Sequence, residues 1–186
     1  MKNKENQRVR LTKTLLKNSL VELMSFKSIH KITIKELCEN AGINRSTFYL
    51  YYKDQFALLE EIEADLLYHI KERVAKIDSN LSSLHYLQEL LAYIKANAEI
   101  FNILLRRLEN SSFQISFIAE ATHILKLNLN LKCSEKIADY IYRYLTTGCL
   151  SMINKWMESG FDLSIEDLSH MMFQLSDSAV LRYGQP

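Results

Sequence analysis

Proline is all but missing from this chain: the one present is the last residue, Pro186, and only four glycines accompany it in 186 residues. So few breakers leave little room for tight β-turns and favour long helices. No apolar run approaches the roughly 18 residues that span a bilayer. The N-terminus is basic, but no apolar stretch with a small-residue cleavage site follows it. The cytoplasm is therefore the expected location, with no membrane among the partners. Cysteine is scarce too. Cys38, Cys133 and Cys149 lie far apart and form no CxxC pair. An odd count without an export signal reads as free thiols rather than a disulfide framework. Also missing are a Gly-rich phosphate loop, a nucleophile elbow, an HExxH pair and a paired-carboxylate constellation, so no enzyme is expected. His85, His123, Cys133 and Cys149 could ligate zinc by residue type, but their spacings match no metal motif. Neither a metal nor a cofactor is expected.

What is present is an uneven charge. The first 60 residues hold eleven of the 23 Lys and Arg but only six of the 22 Asp and Glu. The remainder is mildly acidic. A basic first third suggests a part that meets a polyanion and another that does not.

The apolar residues recur at spacings of three and four, and no segment alternates with period two. The pattern predicts an all-α fold with about nine helices and no internal repeat. Residues 1–7 are polar and expected to be flexible. Leu11, Leu15, Leu16, Leu20, Leu23 and Met24 mark a first amphipathic helix ending near Phe26. Thr33-Ile-Lys-Glu36 has the form of a capping box. The helix it opens, with Ile34, Leu37 and Cys38 inward, ends at Ala41-Gly42, where glycine can take the left-handed conformation. Asn44 is placed to cap a second short helix, Arg45 to Tyr52. Asp54 caps a longer one reaching about Ile77. Polar breaks at Asp78-Ser-Asn80 and Asn110-Ser-Ser112 separate helices over about 83–97, 98–109 and 113–130. Ser134 opens a helix to Glu158, which Ser159-Gly160 ends, and Ser164-Ile-Glu-Asp167 opens the last, to about Arg182. Three parts are expected: 1–7, a domain over 8–68 and a domain over 69–186.

Residues 33–52 form two short helices joined by a turn containing glycine, the helix-turn-helix arrangement, with a preceding helix to complete a small core. At about 100° per residue, Phe48 and Tyr52 share one face of the second helix and should pack inward. Ser46, Thr47, Tyr49 and Leu50 lie mostly on the other side, with Arg45 in the first turn. That composition suits a major-groove helix. Hydroxyls and tyrosine OH groups bond phosphate oxygens, and the helix N-terminus adds N–H donors. Arg can fork onto guanine O6 and N7, and Leu50 can touch a thymine methyl.

The segment resembles the DNA-binding domain of the TetR family through Thr33, Ala41-Gly42-Ile43, Arg45, Thr47-Phe48-Tyr49, Tyr51-Tyr52, Lys53-Asp54 and Leu58-Leu59. The resemblance covers residues 8–68. Gly148 to Leu168, with Trp156-Met-Glu-Ser-Gly160 and Ser164-Ile-Glu-Asp-Leu168, is similar to a sensor domain common in regulators of low-GC Gram-positive bacteria. The resemblance implies that Thr33 caps its helix and touches phosphate. Lys35 and Asn44 would lie close to the groove, with Arg45 and Ser46 at base edges. Thr47, Tyr49, Tyr51 and Lys53 would hold the backbone. Two positions depart from the family. A lysine that usually contacts phosphate, two residues beyond Lys53, is Gln55 here, and Leu50 stands where Arg or Trp is often found.

The helix over 134–158 is apolar on more than one side, and the last helix nearly so. An end-of-chain helix of that kind rarely finds cover within its own subunit. A two-fold, four-helix homodimer interface is therefore expected from Ile141, Leu145, Gly148, Met152 and Trp156 together with Leu168, Met172, Leu175 and Ala179. The family resemblance further implies an effector pocket, here Ile94, Phe101, Leu105, Phe117 and Leu150, between helices 4 and 7. Arg106-Arg107 reads as a solvated face, or a hold for an acidic effector. The expected protein is a dimeric regulator that binds a palindromic double-stranded operator and is released by a small-molecule effector. Activation, or control by a protein co-regulator, is the alternative within the class, and a helical interaction module that never meets DNA is the alternative outside it.

Overall fold

The computed structural model describes residues 2–75, 83–107, 112–128 and 131–183. Among them the chain is all-α: nine α-helices, one 3-10 turn and one π-helical turn. No described helix is long and apolar enough to cross a membrane. The polar breaks read at 78–80 and 110–112 fall outside the described residues or at their edge, as do the side chains of Arg106, Arg107 and Ala179. The chain divides into two compact units, Met1–Tyr68 and His69–Pro186.

In the first unit, α1 (Lys2–Phe26) begins at Lys2, so the segment expected to be loose is helical. Its Lys, Glu and Gln residues are good helix formers, but being polar all round they give no periodic signal. A 3-10 turn, Ile29–Lys31, leads to α2 (Ile34–Ala41), α3 (Arg45–Tyr49) and α4 (Gln55–Ala75), the last running past the end of the unit. Leu16, Leu20 and Met24 of α1 close over Leu37, Phe48, Leu58 and Ile62, all buried. Leu11 and Leu15, read as part of the same stripe, are exposed. Leu15 is turned about 100° from its neighbour Leu16, which puts it off the core face.

That face is completed by polar groups. Lys13 and Lys17, one turn apart on α1, meet Glu61 and Asp65, one turn apart on α4: Lys13–Glu61 is 2.9 Å, Lys17–Glu61 2.7 Å and Lys17–Asp65 2.6 Å. The buried Ser19 hydroxyl donates to the Leu37 carbonyl at 2.9 Å and accepts from Asn40 Nδ2 at 3.1 Å. These bonds tie α1 to the end of α2.

The second unit contains α5 (Ser83–Ala96), α6 (Ala98–Asn102), the π-helical turn Ile103–Arg107, α7 (Ser112–Asn128), α8 (Glu135–Glu158) and α9 (Ile165–Tyr183). Helix α5 packs on α9, α7 on α8 and α6 on α8. The Trp156 to Asp167 stretch makes the corner between α8 and α9. Gly160 and Phe161 both take positive φ, 68° and 62°. Reversal of the chain there lays the Phe161 ring edge-on to Trp156, centroids 4.7 Å apart, while Trp156 Nε1 donates to the Leu163 carbonyl at 2.9 Å. Ser164 Oγ then accepts from Asp167 N at 3.0 Å and opens α9.

This packing sorts the residues of two expectations. Leu145, Trp156, Leu168 and Met172 are buried within their own subunit, at 4%, 2%, 2% and 1% exposure. The α8–α9 corner covers these four residues, while Ile137, Tyr140 and Tyr144 of α8 and Met171 and Leu175 of α9 stay exposed. Of the expected interface, Gly148 and Leu175 are exposed and Ile141 and Met152 half-buried. Likewise Ile94, Phe101 and Leu105 fill the core rather than line a pocket. Phe101 packs against Tyr93 and Phe113, with centroids 5.8 and 5.9 Å away. A cavity of about 130 Å³ lies instead among α5, α7, α8 and α9, lined by Phe117 and Leu150 with Leu90, Ile124, Ile153 and Met172.

Candidate nucleic-acid interface

The geometry of residues 33–53 follows from three local devices. Thr33 has extended backbone and its hydroxyl accepts from Glu36 N at 3.2 Å, so it caps α2. The Glu36 carboxylate pairs with Lys27, one residue beyond the end of α1, and the Thr33 backbone also hydrogen-bonds to it. The hydrogen bond from Lys27 keeps Glu36 below the usual carboxylate pKa. Gly42 has φ 64°. Gly42 N bonds the Glu39 carbonyl at 3.2 Å and Ile43 N reaches the Cys38 carbonyl at 2.9 Å. That pair of bonds is the Schellman termination, and its left-handed residue suits glycine. Asn44 occupies the N-cap position of α3, and its carbonyl accepts from Thr47 N at 2.9 Å and Phe48 N at 3.1 Å. Its side chain makes no cap bond and is exposed.

Helix α3 is anchored from beneath. Phe48 is completely buried and Tyr52 nearly so, their rings 5.7 Å apart. Burial, with Glu61 nearby, pushes the Tyr52 hydroxyl well above its ordinary pKa. Lys13 lies over the Tyr52 ring at 5.4 Å and over Tyr51 at 6.0 Å. The ion cluster between α1 and α4 thus sits directly behind the end of the motif.

With Phe48 inward, the opposite face of α3 is presented outward. Arg45, Ser46, Tyr49 and Leu50 are exposed, Leu50 to 76%. Thr33, Lys35, Asn44 and Lys53 are exposed as well, while Thr47 and Tyr51 are half-buried. Lys35 approaches Glu39 only to 3.9 Å with both side chains open to solvent, a pair worth little. All ten residues singled out from the sequence therefore lie in one compact unit, eight of them exposed.

Sequence reasoning missed two features. The 3-10 turn places exposed His30 and Lys31 just ahead of Thr33, with the His30 ring 5.2 Å from Phe56 at the start of α4. The Lys13/Lys17–Glu61/Asp65 cluster had a readable signal: two lysines and two acids, each pair at i and i+4, on helices expected to pack together. Among the described residues, no three His, Cys, Asp or Glu side chains gather into a group that could hold a metal.

A small three-helix unit with a capped α2, a glycine turn and an α3 that is apolar beneath and polar above defines a helix-turn-helix protein. Residues 82–178 match the family model TetR_C_8, the transcriptional regulator C-terminal region. That match covers more than half of the chain, which accordingly belongs to this family of TetR-type transcriptional regulators. YxbF, an HTH-type transcriptional regulator of Bacillus subtilis (strain 168), is 24% identical over 166 residues. The match takes in 86% of this chain and 43% of that relative, so the chain spans less than half of the relative's length. Among solved structures, a TetR transcriptional regulator from Streptococcus agalactiae 2603V has a TM-score of 0.69 at 21% identity, covering 95% of this chain and 99% of that one. The dihydroxyacetone kinase operon activator DhaS has a TM-score of 0.66 at 19% identity, covering 94% and 98%. At these identities the structural likeness speaks to the fold. These relatives are regulators, not enzymes.

Proposed function

We propose that this chain binds double-stranded operator DNA as a homodimer, with α3 entering the major groove, and that a ligand in the C-terminal unit releases it. The observation that carries the reading is the split character of α3. Phe48 and Tyr52 hold it from below, while Arg45, Ser46, Tyr49 and Leu50 face outward. Thr33, Thr47, Tyr51 and Lys53 surround that face with phosphate-binding groups, and Arg45 and Ser46 reach base edges. A dimer would set two such helices about 34–36 Å apart, one turn of B-DNA, on a palindromic site.

The dimer surface we assign differs from the one expected at the outset. Ile137, Tyr140 and Tyr144 of α8 and Met171 and Leu175 of α9 are large, apolar or aromatic, and exposed. Gly148 lies further along α8, also exposed. A Cβ added to Gly148 would meet nothing within 4 Å inside the subunit. A mid-helix glycine costs about 1 kcal/mol relative to alanine. Packing within the subunit gives no reason for it, and close approach of a partner helix does.

A gel shift with palindromic DNA tests the proposal. The chain should bind at low salt, and Arg45→Ala combined with Tyr49→Phe should abolish the shift while thermal unfolding stays unchanged. Wild-type affinity no higher than that of a charge-matched control protein would defeat it. Activation is the second reading, favoured by the fold shared with an operon activator, DhaS. A reporter fused downstream of the selected operator separates the two by the sign of its response.

A further inference from the structure

The cavity among α5, α7, α8 and α9 allows the ligand to be placed in a chemical class. This step rests on the reading that the C-terminal unit senses a ligand. Its walls are apolar. The polar groups at its lining are Tyr86, Thr146, Cys149, Ser176 and Asp177. Thr146 Oγ1 already donates to the Tyr142 carbonyl at 2.8 Å, and Ser176 Oγ to the Met172 carbonyl at 2.9 Å. Both hydroxyls are already engaged within their own helices and keep oxygen lone pairs. Burial raises the Cys149 thiol pKa, against a smaller opposing effect from its hydrogen bond with Ser176. Burial, and then the charge of Glu120, raise that of the Tyr86 hydroxyl. Both groups are therefore neutral at ordinary pH. No cation is among the lining residues, and the one carboxylate, Asp177, is exposed.

An anion entering this space would lose its hydration without gaining a counter-charge, and a cation would meet only the exposed Asp177, so charge is strongly disfavoured. Size sets a second limit. A cavity of about 130 Å³ is close to the engineered one of about 150 Å³ that takes up benzene. We infer that the cavity takes a neutral, single-ring or similarly small apolar molecule bearing one hydroxyl, seated on the apolar walls and exchanging a hydrogen bond with the Tyr86 hydroxyl. Such a ligand has the polarity of phenol. Short fatty acids, sugars and phosphorylated metabolites are excluded by their charge or their hydroxyl count.

Calorimetric titration of the full chain at neutral pH provides the test, with phenol, benzoate and toluene as probes. Phenol should bind at least tenfold more tightly than benzoate, its charged counterpart of similar shape. Ala121→Phe, at the lining on α7, should abolish phenol binding while far-ultraviolet circular dichroism stays native. Ser176→Leu, filling the cavity from α9, should do the same and serves if the first variant misfolds. Tyr86→Phe should weaken phenol severalfold and leave toluene unchanged. Benzoate binding as tightly as phenol, binding retained by both filled variants, or no heat from any neutral probe would overturn the inference. A gel shift run in parallel separates it from the release reading. Phenol that binds without displacing operator DNA defeats release and leaves the ligand class standing. A ligand that displaces DNA equally well from the filled variants does the opposite.

Discussion

The two units solve opposite problems with the same helical material. The first has a small core and a working surface. Phe48, Leu37 and Leu58 close its interior, and the residues assigned to recognition are mostly polar and exposed. The second turns its chemistry inward. Its aromatic cluster of Phe101, Phe113 and Phe117 and its Trp156 corner make a larger core, and the space of interest is an apolar hollow inside it. A polyanion needs charges and hydroxyls at a surface, where they stay hydrated until contact. A small neutral ligand needs the reverse, a site already stripped of water. Substitutions should therefore separate stability from function in the first unit and confuse them in the second.

The largest effect expected is from Phe48→Ala. Truncating a fully buried aromatic costs about 3–5 kcal/mol. Urea unfolding followed by circular dichroism should show that loss, and DNA affinity should fall with it. Arg45→Ala is the counterpart on the exposed face. It should cost about 1–3 kcal/mol in operator binding through a lost base contact and leave the unfolding curve in place. A shift in that curve would mean that Arg45 holds the fold and that the separation fails.

This difference also explains what was legible in the sequence. The Thr33 cap, the Gly42 termination and the inward turn of Phe48 and Tyr52 depend on neighbours within four residues, and spacing alone places them. The cavity needs four helices from distant parts of the chain, and no local period encodes where they leave a gap. Ile94 and Phe101 were as apolar as Phe117 and Leu150, yet only the latter pair line it. The same ambiguity applies to the dimer face. Trp156 stood among the expected interface residues because nothing in its own helix showed that Phe161 folds back against it. The ion cluster, by contrast, was readable from two i, i+4 pairs of opposite sign, and was overlooked.

Gly148→Leu tests the outward side of the second unit. Nothing inside the subunit opposes a side chain there, so the monomer should melt no lower than wild type. Crowding across a close helix contact costs about 1–3 kcal/mol. The dimer dissociation constant, read by sedimentation, should rise about fivefold or more, and operator affinity should drop with it. An unchanged constant would move the interface elsewhere.

A smaller effect is expected from Glu61→Gln, which probes the cluster behind α3. Glu61 is pulled by several influences: desolvation raises its pKa, and the stronger combined effect of Lys17 and Lys13 lowers it below 4.5. A lowered folded-state pKa contributes stability that is present above 4.5 and is lost as pH falls through the folded value. The variant should be less stable than wild type at neutral pH by about 0.5–1 kcal/mol, the modest size reflecting solvent screening. The two should converge on acidification. Lys17 is the complementary case. Desolvation would lower its pKa, but Asp65 and Glu61 raise it above 10.5, so its contribution persists through neutral pH and disappears only in strong alkali.

The smallest effect is expected at Gln55, where the chain departs from the lysine usual in its family. Gln55 is the first residue of α4, and Asp54 caps the same turn, its Oδ1 accepting from Ala57 N at 2.8 Å. Gln55→Lys restores a charge that can displace a counterion from phosphate. Each such contact steepens the dependence of log K on log salt by about 0.9, so a dimer should gain about 1.8 in slope and bind more tightly only at low ionic strength. The same charge opposes the positive end of the α4 dipole, at a cost of about 0.3–1 kcal/mol near a helix N-terminus. Glutamine avoids that cost and still donates a hydrogen bond. The salt slope should therefore change while affinity near physiological salt hardly moves. An unchanged slope would place Gln55 away from the phosphate backbone and confine the DNA contact to residues 33–53.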